Sequence, residues 1–266
     1  MPTLDAPACA ALMDAVTALA ARAALVIRDC VGKGAFQTKA DGSPVTAADL
    51  ASEAAIRSGL SEIAPALPIV SEEQTQVSAR PASGESYFLV DPLDGTREFI
   101  AGRDEYAVNI ALLAHGSPLL GVIVAPGLGL IWRGIAGEGA QSLSFAADGK
   151  VSPPLRIEAR ARPRSEPIVL VSRSHLDPRT QAYVESLHEP RAVACGSAIK
   201  FCRIAEGSAD LYPRLAPTHD WDVAAGHAVV EAAGGHVTAA DGTPLRYGTP
   251  ELLIPGFVAA GKAQKA

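Results

Sequence analysis

The run Asp91-Pro-Leu-Asp-Gly-Thr96 places two carboxylates three residues apart, together with a proline, a glycine and a hydroxyl. Hard divalent cations such as Mg²⁺ take oxygen ligands from carboxylates, carbonyls and water. A turn of this composition can present Asp91, Asp94, the Leu93 carbonyl and the Thr96 hydroxyl to one small volume. The same residue types are common in ordinary surface turns, so the six residues do not decide the matter alone. The preceding Tyr87-Phe-Leu-Val90 is apolar, aromatic and β-branched, the pattern of a buried strand that delivers the run to a sheet edge.

Further acids share one context, the end of a strand or the start of a helix. Asp49 stands three residues after Thr46, which has the character of an N-cap, and Glu53 follows one turn later on the same face. Glu72 lies in Val70-Ser-Glu-Glu73 and Asp222 in His219-Asp-Trp-Asp222. Singly, Asp49 and Asp222 also read as first-turn acids that complement a helix dipole. Glu72 and Glu73 also read as solvated. His219 reads as loop surface, since nothing near it has zinc-ligand spacing. Taken together, closely spaced carboxylates are unstable as bare anions and either protonate or recruit cations.

The elements that must position these acids follow from periodicity. Apolar residues at helical spacing predict a helix over 7–30, and Thr46 opens a second through about 60. Between them, 32–44 is polar and carries Lys33, Lys39 and Asp41 with three glycines, which predicts a mobile loop able to act as a lid. Strands are predicted at 67–71, before Asp91, and near 105–114, 117–125 and 129–134. The Ser-, Pro- and Arg-rich stretch near 149–167 reads as a junction. Beyond it, strands at 168–172, 191–195 and 209–212 alternate with helices near 178–188, 197–206 and 221–233, followed by closing strands. The expected fold is thus α/β: an α+β domain over 1–150 carrying most of the acids, and an α/β domain over 151–266 carrying Asp222.

Bulk properties bound the partners. The chain has 266 residues, 23 Lys and Arg against 29 Asp and Glu, and a net charge of −6, with no basic cluster suited to a nucleic-acid polymer. An acidic protein that handles an anionic substrate needs local positive charge, and metal ions can supply it. The apolar stretches read as interrupted by polar residues short of membrane-spanning length, and the N-terminus does not read as a signal peptide. Cys9, Cys30, Cys195 and Cys202 have neither a CxxC pair nor zinc spacing, so reduced thiols in the cytoplasm are expected, with Cys195 and Cys202 as packing residues.

The motifs also carry a resemblance over nearly the whole chain. Asp49 in Ser43-Pro-Val-Thr-Ala-Ala-Asp49, Glu72, DPLDGT at 91–96 and Trp221-Asp-Val-Ala-Ala-Gly226 occur in the order of the inositol monophosphatase-like superfamily. Arg97-Glu-Phe-Ile100, Val171-Ser-Arg-Ser-His175, Gly196-Ser-Ala-Ile-Lys200 and Asp210-Leu-Tyr-Pro-Arg214 resemble the CysQ-type 3'(2'),5'-bisphosphate nucleotidases within it. Arg97 stands where those nucleotidases commonly have Lys, and Thr218-His-Asp before Trp221 is a further departure.

The resemblance implies a layered αβαβα sandwich and a lithium-sensitive, Mg²⁺-dependent phosphatase using two or three ions. The substrate it implies is adenosine 3',5'-bisphosphate, hydrolysed at its 3'-phosphate to clear a by-product of sulfate assimilation, with the sulfated form as a second candidate. The alternatives are an inositol monophosphatase or a broad-specificity sugar-phosphate phosphatase; a non-catalytic metal or nucleotide sensor is a different class. By the same resemblance Glu72, Asp91 and the Leu93 carbonyl hold one ion, Asp91, Asp94 and Asp222 a second, and Glu72 with waters a third. Asp49 and Thr96 position and deprotonate the attacking water. The Gly95 and Thr96 amides cradle the reacting phosphate. Lys200 and Arg214 are the candidates for the second phosphate, with Gly196 and Ser197 adding contacts and Ser174 and His175 lining the adenosine side. The expected partner is a small phosphorylated molecule, with no stable membrane insertion. The expected protein is a cytoplasmic monomer or homodimer, with peripheral inner-membrane association left open.

Overall fold

The computed structural model describes residues 6–32, 36–39, 42–74, 84–163, 165–174 and 176–263. Helix α1 (Ala6–Asp29) opens the chain, followed by the two-residue strands β1 (Gln37–Thr38) and β2 (Pro44–Val45), which pair with each other. Helix α2 (Ala47–Ile63) begins where Thr46 accepts the Ala48 N–H and Asp49 reaches back to the Thr46 N–H at 2.8 Å, a capping box that fixes the first turn. Strand β3 (Ile69–Ser71) runs into a single 3₁₀ turn at Glu72–Gln74. Strand β4 (Tyr87–Asp94) then leads to the short helix α3 (Thr96–Ile100).

Strands β5 (Ala107–Ala114), β6 (Ser117–Ala125), β7 (Leu130–Ile135), β8 (Gly139–Ser144) and β9 (Leu155–Ile157) complete a seven-stranded sheet in the order β3-β4-β5-β6-β7-β8-β9. Only the β3–β4 pairing is parallel. Strands β8 and β9 lie outside the elements expected from the pattern. The β8 segment Gly-Ala-Gln-Ser-Leu-Ser has no β-branched or aromatic residue, and it is strand because β7 offers it a full ladder.

The rest of the chain alternates. It comprises β10 (Ile168–Ser172), α4 (Pro178–Glu185), β11 (Arg191–Cys195), α5 (Ile199–Ala205), β12 (Leu211–Arg214), β13 (Thr218–His219), α6 (Asp220–Ala232), β14 (His236–Thr238), β15 (Leu253–Ile254) and β16 (Phe257–Ala260). Five of these strands form a second sheet in the order β11-β10-β12-β16-β14, and β13 pairs with β15 in a separate ribbon.

Burial explains the layering. One face of β4–β6 presents Phe88, Val90, Ile110, Leu112 and Val122 to Val16, Leu19, Ala23 and Ile27 of α1 and to Ile56 and Leu60 of α2. The opposite face, with Leu89, Ala111, Ile123 and Trp132, joins Phe201 and Ile204 of α5 and Val223, Val229 and Val230 of α6. The far side of that helical layer packs on Leu170, Tyr212, Phe257 and Ala259 of the second sheet. Val169, Val171 and Leu211 on that sheet's outer face meet Val184 of α4. Helices, sheet, helices, sheet and helix thus alternate, the αβαβα arrangement the resemblance implied. The inner strands, covered on both faces, read as near-continuous apolar runs for that reason.

By length and apolar composition the segment Ala8–Asp29 is sufficient to cross a membrane, which corrects the reading of the apolar stretches. Asp14 and Arg22, with Arg28 and Asp29 at its end, are too few to offset so much Ala, Leu and Val. Half of that window is buried inside the protein, and the buried face is the one that meets α2 and the sheet. Asp41 and Lys33, invoked for a lid, fall outside the described residues.

Candidate active site

The pairing of β4 with β5 shifts between Asp91, opposite Asn109, and Asp94, opposite Ala107. Three steps on β4 match two on β5, so β4 carries one extra residue there, and such a bulge re-aims side chains. The chain then turns at Gly95, whose φ of +89° is open to glycine at little cost. Asp91, Leu93 and Asp94 thereby come to line a cleft of about 300 Å³.

That cleft gathers residues from across the chain. Glu72, Asp91, Leu93, Asp94 and Asp222 line it, as do Gly95 and Thr96. Ser174, Gly196, Ser197, Lys200 and Arg214 line it as well. Asp49 stands one layer back, buried, and its Oδ1 accepts from the Thr96 hydroxyl at 3.0 Å. His175 lies outside the described residues.

Asp49 and Asp222 each satisfy the humbler reading too. Both are third-position acids that accept the backbone N–H at the start of their helix, at 2.8 Å from Thr46 and 3.2 Å from His219. His219 departs from its expected place on a loop surface. It is half-buried, stacked on Trp221 with ring centroids 4.4 Å apart, and lines the cleft.

The acids raise one another's proton affinity. Asp91, 1% exposed, is pushed well above the carboxylate range by burial first, then by Glu72, Asp94 and Asp222. Burial and Asp222 push Asp94 up to about 6, against the pull of Lys200. Burial raises Glu72 to about 7, although Lys39 opposes it.

Among the described residues, no three His, Cys, Asp or Glu side chains close around a single point. The reason is visible in their partners. Lys39 Nζ lies 2.8 Å from Glu72 Oε1 and 2.6 Å from Glu73 Oε1. The Ala198 N–H donates to Asp94 Oδ2 at 2.5 Å and the Leu93 N–H to Asp91 Oδ1 at 3.0 Å. The Thr218 hydroxyl donates to Asp222 Oδ2. Each acid is held separately by its own protein donors, and burial still pushes Glu72, Asp91 and Asp94 toward protonation despite Lys39, Lys200 and Arg214. An all-oxygen donor set of this kind fits a hard divalent cation.

The same cleft is also lined by two cations, Lys200 and Arg214. Lys200 is 2% exposed, so it is no surface charge. Its Nζ donates to the Ser197 carbonyl at 2.7 Å and the Cys195 carbonyl at 3.2 Å, and lies 4.9 Å from the Tyr212 ring centre. An ammonium has three donors, so one remains for a ligand. Burial works against the Arg214 charge, but Tyr212 and Asp222 hold its pKa above the usual value.

The Lys39 contact with the cleft acid Glu72 is one that sequence reasoning missed, since the two are 33 residues apart. Its signal was a lone cation in a polar loop. Cys195 lines the cleft, but burial raises its thiol pKa, as it does that of Cys202, in keeping with packing roles.

The chain belongs to the inositol monophosphatase family, whose model matches residues 10–265. Within that family it is similar to the 3'(2'),5'-bisphosphate nucleotidase CysQ of Escherichia coli (strain K12), 44% identical over 224 residues, 83% of this chain and 86% of that protein. The Haemophilus influenzae protein of the same name is 30% identical over 85% of this chain and 83% of its own length. Among solved structures, CysQ from Bacteroides thetaiotaomicron matches with a TM-score of 0.81 and 36% identity, covering 96% of this chain and 98% of that one. An inositol monophosphatase from Anabaena matches with a TM-score of 0.75 and 27% identity, over 96% and 92% of the two chains.

Proposed function

We propose that the protein is a divalent-metal-dependent phosphatase that hydrolyses the 3'-phosphate of adenosine 3',5'-bisphosphate to AMP and phosphate, and acts on the sulfated form in the same way. The observation that carries this reading is the double lining of the cleft: a set of acids, and beside them the cations Lys200 and Arg214. A single phosphate ester needs only the first, whereas a bisphosphate uses both. The names of the relatives support the same substrate class.

Glu72, Asp91 and the Leu93 carbonyl would hold one Mg²⁺, and Asp91, Asp94 and Asp222 a second, with Glu72 available to a weaker third. Such ions offset phosphoryl charge, acidify a water and stabilise the departing sugar oxygen. The residues of the chain do the rest. Thr96 Oγ1 has one proton to give, to Asp49 Oδ1 at 3.0 Å or to the Leu93 carbonyl at 3.2 Å. When Asp49 takes it, a Thr96 lone pair faces the cleft and can receive a proton from the attacking water. The water's proton thus passes to Thr96 while that of Thr96 passes to Asp49, and the oxygen attacks phosphorus in line with the leaving ribose oxygen. No covalent phospho-enzyme is needed.

Phosphate release from adenosine 3',5'-bisphosphate, inositol 1-phosphate and fructose 1,6-bisphosphate, with Mg²⁺ and with EDTA, tests the reading. It expects strong preference for the nucleotide, abolished by EDTA. Equal or better turnover of the sugar phosphates would overturn the substrate assignment.

A further inference from the structure

One carboxylate in the cleft has no part in the scheme above. Glu98, the third residue of α3, is 5% exposed and lines the cleft. Its Oε1 accepts the Ser174 hydroxyl at 2.8 Å, from the chain just after β10. Its stem packs against Gly196, just after β11, where an added Cβ would stand 3.0 Å from Glu98 Cγ and 2.6 Å from the Glu105 carbonyl oxygen. Only glycine lets the chain after β11 close on Glu98 beside Ser174, so the side chain, carried by α3 after β4, is held by two segments of the second sheet.

The neighbouring Glu105 is neutralised by Arg173 at 2.6 Å and accepts the Gly196 N–H at 2.9 Å. No ion pair of Glu98 is found among the described residues. Arg173 is within electrostatic reach of Glu98 but is ion-paired to Glu105, so a phosphate placed directly against the clamped carboxylate meets like charge. What it accepts is a neutral hydrogen-bond donor, a hydroxyl or an amino group, and charge-assisted bonds of this type are the stronger ones.

Resting on the functional reading above, we propose that Glu98 is a specificity-determining residue that accepts a hydrogen bond from the nucleoside portion of the substrate, either the free ribose hydroxyl or the base amino group. Phosphates go to the metal-binding acids and to Lys200 and Arg214, and Glu98 accepts from the nucleoside's own donor. A smaller phosphate ester that fills only the metal site gains nothing from Glu98.

The test compares wild type with Glu98→Gln, which keeps the shape and an acceptor for Ser174, and with Ser174→Ala, which removes the hydroxyl that holds Glu98. Substrates are adenosine 3',5'-bisphosphate, its 2'-deoxy analogue, inosine 3',5'-bisphosphate and inositol 1-phosphate. Glu98→Gln is expected to lower kcat/KM for adenosine 3',5'-bisphosphate by about tenfold or more, chiefly through KM. Inositol 1-phosphate is expected to stay within about twofold, and Ser174→Ala to give a smaller change of the same sign. Wild type should lose a similar factor on one analogue, and on that analogue Glu98→Gln should add no further loss. Loss of the 2'-deoxy compound identifies the ribose hydroxyl, and loss of the inosine compound identifies the base amine. Parallel loss on all four substrates, or no change in selectivity, overturns the proposal while leaving the functional reading intact. A wild type with no preference for nucleotides overturns both.

Discussion

The acidic and the basic groups of the cleft solve opposite electrostatic problems. Among the basic groups the charge is satisfied within the chain: Lys200 is buried, yet carbonyls of Cys195 and Ser197 and the face of Tyr212 surround its ammonium. Among the acidic groups charge accumulates. Asp91, Asp94 and Glu72 are all pushed toward protonation, with burial as the first cause and one another or Asp222 as the next. The basic pair is pre-organised to wait for an anion. The acidic set is complete only when a cation from outside joins it.

The largest expected effect comes from the acid shared by both ion sites. Asp91→Asn should lower kcat/KM by about three orders of magnitude, while raising the thermal stability of the metal-free protein, because it removes one member of a repelling set. A thermal melt with EDTA checks the second half, and unchanged or lowered stability would break the contrast.

For the basic pair the effect should be smaller and selective. Lys200→Met or Arg214→Ala should lower kcat/KM for adenosine 3',5'-bisphosphate by roughly ten- to a hundredfold. Inositol 1-phosphate should change far less. Equal losses on the two substrates would mean that both residues serve the fold rather than the second phosphate.

The pH dependence of stability separates the two groups further. Glu72 at about 7 and Asp94 at about 6 stand above their ordinary values of 4.5 and 3.8. Groups raised in this direction contribute stability that is fully present below the ordinary values and is lost as pH rises through about 6 and 7. Melts with EDTA should therefore fall across that window, and Mg²⁺ should flatten the fall. A metal-free profile that rises through the same window would contradict the sign.

The smallest effect concerns Lys39, whose ammonium occupies Glu72 and Glu73. An ion using Glu72 must share or displace it, so Lys39→Met should lower the Mg²⁺ concentration needed for half-saturation by up to about fivefold. Calorimetric titration reads this directly, and weakened Mg²⁺ binding would reverse the assigned role.

The acidic set was largely legible from sequence because much of it is contiguous. DPLDGT brings its ligands together by one bulge and one turn, and both Asp49 and Asp222 sit in the first turns of helices with recognisable starts. The apolar runs of β4, β5 and β6 were legible because both faces of those strands are buried. What stayed hidden depends on pairing at a distance. The Lys39–Glu72 contact, the Glu98–Ser174 clamp and the stacking of His219 on Trp221 are set by tertiary placement. Strands β8 and β9 are strand by neighbourhood rather than composition. Helix α1 was legible as a helix, but not as one apolar enough to pass for a membrane span.

The division of labour within the cleft is tested most directly by two substrates that differ in one phosphate. We would measure kcat/KM of the wild-type protein in Mg²⁺ for adenosine 3',5'-bisphosphate and for adenosine 3'-monophosphate. Engagement of the second phosphate by Lys200 and Arg214 predicts a preference for the bisphosphate of about tenfold or more. Equal values for the two nucleotides would show that the basic pair does not read the substrate, and the central claim would fall.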